Sequence, residues 1–322
     1  MDVENRVKYY MGKYYNSKIY HHSIPLKYIK NGIKFENSKI LITKKNILKN
    51  FKNLNKNNIE YHYIKPLLEI LDDINSDDKY FLYCWGDISH SIGREGVITK
   101  TRPWGNKTMI LQKLVYFRHW NQKNFDDVKK YDKSFRKKIN KAIWRGSSTG
   151  FIETNGSRFD LVKKYFNNPK IDVGFSKIVQ DKNQYDKYLK NNMSIKDQLN
   201  YKFIISVEGN DVASGLKWQL LSNSIVLMRK PTIESWLMEF RLRPYVHYVP
   251  LKDDFSDIEE QMNWCNNNCE RCLNIINRSK SYMEQFLNFK KEKQIRKKIL
   301  IRYFQNISFN KSFLDNEIKK LK

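Results

Sequence analysis

Residues 203–217 read Phe-Ile-Ile-Ser-Val-Glu-Gly-Asn-Asp-Val-Ala-Ser-Gly-Leu-Lys, an apolar run followed by a glycine turn and a helical pattern. The run at 203–207 is apolar except for one serine, which is typical of a strand buried on both faces. A helix is predicted over about Val212–Leu221. Because a strand that leads through a glycine into a helix is the repeating unit of α/β proteins, this stretch predicts a parallel sheet covered by helices.

The same alternation extends to both sides of this stretch. Strand-like runs occur at Lys141–Trp144, Ile171–Val173, Ser224–Met228 and Val246–Val249, and helical patterns occur at Arg158–Phe166, near Ile195–Leu199 and around Trp236. A long amphipathic helix is predicted from Ser256, with Glu259 placed for a capping box. The second half of the chain therefore predicts one α/β domain.

The first half is less regular. It begins with a basic, tyrosine-rich helical pattern, has an apolar run at Ile40–Ile42 and continues with helical patterns through Ile70. A buried strand is predicted at Tyr80–Trp85, directly before Gly86-Asp87. The tail after Phe286 is a charged helical pattern that either packs on the rest of the molecule or extends into solvent. We predict three segments, residues 1–140, 141–285 and 286–322.

Composition favours a folded protein with a strongly basic surface. Hydrophobic residues make up 40% of the 322 residues and aromatic residues 14%, too many for a disordered chain. The net charge is +26, but the lysines are spread along the chain, which favours solvated lysines on every face. The alternative is a surface that attracts an anionic partner, whether a sugar phosphate, a lipid head group or a nucleic acid.

The sequence shows no targeting signal, and its cysteines do not form a recognisable metal site. No run approaches the roughly 20 apolar residues of a membrane span, and the N-terminus lacks a signal-peptide pattern, so we expect a cytoplasmic protein. Cys265, Cys269 and Cys272 share one face of the predicted long helix. Because no nearby histidine completes a zinc site, helix packing is the favoured interpretation of these cysteines.

Two loops after predicted strands have the composition of an anion site. In 208–217, a helix N-terminus at the end of a parallel strand would present free amides to a phosphate. The small residues at 213–215 would allow close approach, and Lys217 would add a charge. In Trp144–Gly150, Arg145 offers a planar fork and the loop offers amides and hydroxyls, with Arg158 just beyond. Each loop is also compatible with an ordinary turn.

Together these motifs resemble glycosyltransferase family 90, which includes capsule-associated and protein O-glucosyl transferases and a bacterial lipopolysaccharide-modifying branch. The ordered series that carries the resemblance is Trp144–Ser148, Glu208–Lys217, Asn223-Ser224, Lys230–Thr232, Glu234–Glu239, Pro244–Tyr248 and Asp253–Glu260. Looser resemblance is found upstream at Gly86-Asp87, Thr99–Pro103 and Arg118-His119.

The resemblance implies a GT-B-like fold, with two Rossmann-type domains whose parallel sheets face a cleft. Residues 1–140 would then be the acceptor-side domain and 141–285 the nucleotide-sugar-binding domain. It also implies inverting transfer of a hexose or pentose, from UDP-glucose or UDP-xylose, to a hydroxyl of a glycan, glycolipid or glycoprotein. No metal or other cofactor is implied, and the sequence contains no Asp-x-Asp motif.

Individual roles also follow from the resemblance. Asp87 is assigned as the base, although an aspartate after glycine also suits a turn. Glu208 is assigned to a ribose hydroxyl and Glu234 to the sugar or ribose, and each is equally compatible with a structural role. The implied donor-binding set is Arg102, Arg145, Gly146, Ser147, Ser148, Arg158, Glu208, Gly209, Asp211, Val212, Ala213, Ser214, Gly215, Lys217 and Glu234.

One departure from the family pattern bears on the charge of the site. In the animal O-glucosyl branch, arginines associated with the diphosphate stand at the positions of Ser148 and Gly215. Arg102, Arg145, Arg158 and Lys217 are the candidates to replace them, and the sequence does not choose among these.

Three other functions compete with the transferase. A nucleic-acid-binding protein is suggested by the charge and the 20 tyrosines, but it would need basic and aromatic residues concentrated on one element. A kinase is disfavoured because neither Gly-x-x-x-x-Gly-Lys-Ser/Thr nor Gly-x-Gly-x-x-Gly occurs. A transferase fold retained as a catalytically degenerate scaffold is suggested by the two missing arginines.

The abundance of Lys, Asn and Ile suggests an AT-rich genome. Such a source, without a secretory signal, would suit a bacterium or a large DNA virus acting in its host's cytoplasm.

Overall fold

The computed structural model describes residues 1–22, 39–44, 48, 55, 57, 59–74, 76, 79–85, 87, 95–113, 120–150, 156–180, 182–312 and 316. The helices are α1 (Val3–Met11), α2 (Ile59–Asp73), α3 (Gln122–Tyr131), α4 (Arg158–Tyr165), α5 (Lys182–Tyr185), α6 (Ile195–Gln198), α7 (Leu216–Gln219), α8 (Ile258–Asn267), α9 (Cys269–Glu284) and α10 (Phe289–Asn306). The strands are β1 (Ile19–His21), β2 (Lys39–Thr43), β3 (Tyr80–Trp85), β4 (Val97–Thr99), β5 (Thr101–Pro103), β6 (Met109–Leu111), β7 (Ile139–Ser147), β8 (Ile171–Lys177), β9 (Tyr201–Ser206), β10 (Ile225–Met228), β11 (Ile233–Ser235), β12 (Val249–Pro250) and β13 (Ile307–Phe309).

The chain divides into two compact units. The first unit comprises Met1–Phe117, Glu234–Trp236 and Phe286–Lys322, and the second comprises Arg118–Ile233 and Leu237–Gln285. A boundary is predicted near residue 140, whereas the first segment of the first unit ends at Phe117, because α3 packs on α6 and α7 of the second unit. The tail, whose position the sequence left open, contributes α10, which packs on α1 and α2 in the first unit.

The second unit contains a five-stranded sheet with the order β12-β10-β9-β7-β8, and every pair in it is parallel. Its strands are apolar on both faces, as in Phe203-Ile204-Ile205, whose side chains are fully buried. The α/β class with a parallel sheet is therefore confirmed. The order reverses between β7 and β9, so this is a topological switch point, where doubly wound sheets bind ligands at the carboxyl ends of their strands.

The first unit contains a four-stranded sheet with the order β2-β3-β4-β6. Its β3-β4 and β4-β6 pairs are parallel, and β2 is antiparallel to β3. Buried charges join its elements: Glu292 of α10 pairs with Arg6 of α1 and lies 2.9 Å from the Nζ of Lys113. Burial lowers the pKa of Lys113 to about 7, although Glu292 acts in the opposite direction.

Two elements, predicted around Trp236 and at Val246–Val249, are wrong. The strand predicted at Val246–Val249 is instead a tight turn, closed by the Tyr245 amide donating to the Tyr248 carbonyl at 2.7 Å, and β12 begins only at Val249. The helix predicted around Trp236 does not form, because Met238 has a left-handed backbone with φ 57°. A residue in that conformation interrupts an α-helix.

The predicted long helix is two helices, α8 and α9, divided at Asn268. The expected capping box does not form: α8 begins after Asp257, whose carboxylate accepts from the Lys252 amide, while Glu259 accepts from Asn168. Across the division, the Cys272 thiol donates to the Cys265 carbonyl at 3.5 Å.

Among the described residues, no group of three or more His, Cys, Asp or Glu side chains is arranged to hold a metal ion. No helix in the described ranges is long and apolar enough to cross a bilayer.

Candidate functional site

The second unit has a cleft at the carboxyl ends of β9 and β10, with about 410 Å³ of empty space when the part open to solvent is included. Its charged lining residues are Glu208, Arg229, Lys230 and Glu239, and its other lining residues are Gly156, Ser206, Val207, Val212, Ala213, Leu216, Met228, Pro231, Ile233 and Phe255. Of the predicted donor-binding set, Glu208, Val212 and Ala213 therefore line the cleft.

The helix predicted from Val212 is shorter than expected. The segment after β9 turns back on itself, since the Gly209 amide donates to the Asp211 carbonyl and the Val212 amide donates to the Asp211 carboxylate. Residues 212–215 are not helical, and α7 spans only four residues, Leu216–Gln219. The predicted start of a helix at Val212 is therefore wrong, while the predicted role of this segment in donor binding stays a prediction. Ser214 and Gly215 belong to this irregular segment.

Arg158 joins the loops that follow β7 and β9. Its guanidinium donates to the Ser147 carbonyl, to Thr149 Oγ1 at 2.7 Å and to the Val207 carbonyl. The approach is close enough that a Cβ on Gly209 would lie 2.9 Å from the guanidinium carbon, so a side chain there would displace the Arg158 head group. These contacts fix the two loops at the switch point.

Arg145 forms an ion pair with Asp172 of the neighbouring strand β8. Its guanidinium donates to both Asp172 carboxylate oxygens, at 2.9 and 3.0 Å, and Lys190 lies 2.8 Å from the same carboxylate. Burial acts to raise the pKa of Asp172, but the hydrogen bonds from Lys190 and Arg145 outweigh it and hold that pKa below its ordinary value. Arg145 is not among the residues that line the cleft.

Two further residues of the same motif hold the end of β7. The buried Ser148 hydroxyl accepts from the Val179 amide at 2.7 Å and donates to the Gln180 carbonyl. Gly146 lies under the Trp144 indole, whose nearest carbon would be 2.7 Å from an added Cβ. Both residues therefore shape the loop through contacts within the protein.

Lys217 and Glu208 each have protein partners. Lys217 is buried and pairs with Glu239 at 3.1 Å. The Glu208 carboxylate accepts from the Thr232 amide and hydroxyl and from the Ile233 amide, at 2.6–3.1 Å. Burial raises the pKa of Glu208 above its ordinary value against the effect of these hydrogen bonds. Glu208 thus connects the end of β9 to the segment after β10, along the wall of the cleft.

Sequence reasoning missed Gly156 and Arg229. Gly156 has φ +75°, and an added Cβ would lie 1.5 Å from an Arg229 guanidinium nitrogen and 2.2 Å from the Asp253 carbonyl oxygen. The glycine therefore provides the space in which the Arg229 side chain lies. Arg229 directly precedes the Lys230–Thr232 motif, but nothing in the sequence indicates that residues 156 and 229 meet.

The remaining predicted residues lie in the first unit. Asp87, just after β3, accepts from the Lys100 ammonium at 2.7 Å, and Lys100 also donates to the Tyr63 hydroxyl at 3.1 Å. Arg102 and Glu234 form a buried ion pair at 2.7 Å. Gly86, Arg118 and His119, which also entered the resemblance, lie outside the described residues.

Comparison with known proteins identifies the family. Residues 106–319 match Glycosyl transferase family 90. The chain belongs to this family. The sequence-based expectation of membership is thus confirmed.

Two similar proteins and one solved structure are compared with this chain. It is 35% identical over 211 residues to the O-glucosyltransferase LpsA of Dichelobacter nodosus, covering 65% of this chain and 62% of that protein. It is 27% identical over 263 residues to the uncharacterized protein 179R of Invertebrate iridescent virus 6, covering 70% of this chain and 21% of that protein. A glycosyltransferase structure from Rickettsia africae superposes with a TM-score of 0.42 at 12% identity, covering 77% of this chain and 84% of that one.

The family 90 match divides the predicted residues into two groups. Every residue that lines the cleft falls inside 106–319. Asp87 and Arg102 fall before it. The match includes the cleft but does not by itself identify a site, and the roles assigned to all the predicted site residues stay predictions.

Proposed function

We propose that this chain is a glycosyltransferase that binds a nucleotide sugar in the cleft of the second unit. The observation that carries the proposal is the position of this cleft, at the carboxyl ends of β9 and β10 beside a switch point and inside the family match. Apolar walls suit a base or sugar ring, and the charged groups suit ribose hydroxyls and phosphates.

The donor proposed is UDP-glucose or UDP-xylose, and the acceptor is a hydroxyl of a glycan, glycolipid or glycoprotein. The relative LpsA is named an O-glucosyltransferase, which favours glucose. The chain spans 62% of that relative and 21% of the viral one, so the activity of the whole protein is part of the proposal. The GT-B arrangement, a cytoplasmic location and contact with an anionic membrane stay predictions.

The proposed mechanism is inverting and needs one base and one cationic site. Asp87 is proposed to take the proton of the acceptor hydroxyl as that oxygen attacks the anomeric carbon of the donor. Its carboxylate is more than half exposed and is oriented by Lys100, which is consistent with contact to a substrate. The bond from the anomeric carbon to the diphosphate breaks, and cationic side chains stabilise the departing UDP.

Calorimetry with UDP and a panel of nucleotide sugars, in excess chelator, tests the proposal. We expect UDP to bind without divalent metal, and UDP-glucose or UDP-xylose to support transfer. Binding that disappears in chelator and returns with manganese would contradict the metal-independent mechanism. Tight UDP binding with no transfer from any sugar nucleotide would favour the degenerate scaffold instead.

A further inference from the structure

The proposed nucleotide-sugar donor carries a negatively charged diphosphate, and the family pattern does not identify the cationic residue that binds it in this chain. The two positions where the animal branch carries arginines are Ser148 and Gly215 here. Four cationic residues were candidates to replace these arginines, and the structure shows a protein partner for each of them. Arg145 holds Asp172, Arg158 holds loop carbonyls and Thr149, and Lys217 holds Glu239. The fourth, Arg102, pairs with Glu234 in the first unit.

Arg229 differs from these cations because it lines the cleft. Its side chain is 19% exposed, compared with 7% for Arg145 and 2% for Lys217. Its guanidinium lies against the bare backbone of Gly156, donates to the Asp253 carbonyl at 3.3 Å and lies 6.0 Å from the Phe255 ring centroid. These contacts position the head group at the wall of the cleft.

Arg229 forms an ion pair that an anion can replace. Asp253 lies 3.6 Å from the guanidinium, and the Asp253 side chain is 83% exposed. Ion pairs with so exposed a partner are weak, because water solvates the carboxylate as well as the arginine does. A phosphate, which matches the planar guanidinium with two oxygens, would compete well for this position.

The charge balance of the cleft also favours an anion beside Arg229. The two glutamates that line the cleft have partners: Glu208 accepts three hydrogen bonds, and Glu239 pairs with Lys217. The exposed Lys230, next to Arg229, adds a second positive charge to the lining.

We propose that Arg229 binds the diphosphate of the nucleotide sugar and replaces the missing arginines of the animal branch, with Lys230 adding charge. This inference rests on the proposed function, because it takes the ligand to be a nucleotide sugar. It assigns the diphosphate to the segment after β10, rather than to the loop after β7 or to the start of α7.

Calorimetry of the full chain with UDP and with uridine separates contact to the diphosphate from contact to the nucleoside. Arg229→Met should lower UDP affinity by roughly 10- to 150-fold, the range for a lost charge-assisted hydrogen bond. Uridine affinity should stay within about twofold, and Arg229→Lys should restore part of the UDP affinity. Arg136→Met, the same change at an exposed pair with Glu270 in the same unit, should leave both affinities unchanged.

A second variant is expected to raise UDP affinity instead of lowering it, and its result does not depend on whether Arg229→Met folds. Asp253→Asn removes the competing carboxylate, so UDP affinity should rise by roughly 1.4- to 5-fold, with uridine affinity unchanged. UDP affinity of folded Arg229→Met within twofold of the parent would overturn the inference, as would a loss of UDP affinity in Asp253→Asn. A parent that binds neither UDP nor uridine would overturn the proposed function and the inference with it.

Discussion

The two units expose opposite charges at their candidate sites. In the first unit the carboxylate of Asp87 is 53% exposed, and its partner Lys100 is 5% exposed. In the second unit the lining carboxylate Glu239 is buried with Lys217, while Arg229 reaches the cleft. An exposed carboxylate suits proton abstraction, and a part-exposed guanidinium in a cleft suits an anion. The proposal accordingly assigns proton transfer to Asp87 in the first unit and donor binding to the cleft of the second.

The largest expected effect tests the first unit. Asp87→Asn keeps the shape of the side chain but cannot accept a proton, so transfer should fall by roughly 10²- to 10⁴-fold. UDP affinity and melting temperature should hardly change, because the donor is assigned to the other unit. Transfer assays and calorimetry on the same preparation measure both.

Glu95→Gln is the matched control, since Glu95 is an exposed carboxylate of the same unit that pairs with Lys13. A transfer rate for Asp87→Asn within a few-fold of the parent would remove Asp87 from the mechanism. The base would then be sought among His90, Asp72 and Asp73.

The next prediction tests whether Arg145, near the end of β7, has a structural role. Arg145→Ala leaves the part-buried Asp172 with one cation fewer, so the free energy of unfolding should fall by about 1–2 kcal/mol, a figure reduced for the partial exposure of Asp172. UDP affinity should stay within about twofold. Urea unfolding and calorimetry measure the two quantities, with Arg136→Ala as a surface control. A loss of UDP affinity as large as that of Arg229→Met would show that the diphosphate contacts both regions.

The smallest effect concerns His247, which is not among the residues that line the cleft. Burial, and secondarily Arg243 and Arg278, lower the pKa of His247 to about 4. The folded protein therefore keeps His247 neutral below the ordinary pKa of 6.5, where the unfolded chain takes up a proton. Its contribution to the free energy of unfolding should decrease as pH falls from about 6.5 to 4, by at most roughly 1.4 kcal/mol per pH unit.

His247→Asn, whose side-chain oxygen can accept from the Arg243 amide as Nδ1 does, should show a shallower decrease between these pH values. Unfolding in urea at a series of pH values measures the difference. Equal slopes for parent and variant would contradict the assignment of this pH dependence to His247.

The predicted fold was most accurate where local pattern and packing agree. The strands at Ile171–Val173, 203–207 and Ser224–Met228 are correctly placed, because strands buried on both faces read as apolar runs. The helix from Val212 and the strand at Val246–Val249 are wrong, because local turns formed there instead. Those turns depend on backbone hydrogen bonds at Asp211 and Tyr248, which apolar periodicity does not report.

The candidate site was predicted only in part for a related reason. Glu208, Val212 and Ala213 follow a strand directly, so their place at its carboxyl end could be read from the sequence. Arg229 depends on a contact with Gly156, which is distant in sequence. Neither residue type nor spacing reveals such a contact, so the arginine that the structure favours was not among the predicted ones.

A crystal structure of the chain with UDP tests most directly whether the cleft of the second unit holds the donor. We expect UDP at the carboxyl ends of β9 and β10, with phosphate oxygens at about 2.7–2.9 Å from the Arg229 guanidinium, the distance of a charge-assisted hydrogen bond. UDP bound away from this cleft, or bound in it with its diphosphate on Arg145 or Lys217 and Arg229 still on Asp253, would contradict this assignment.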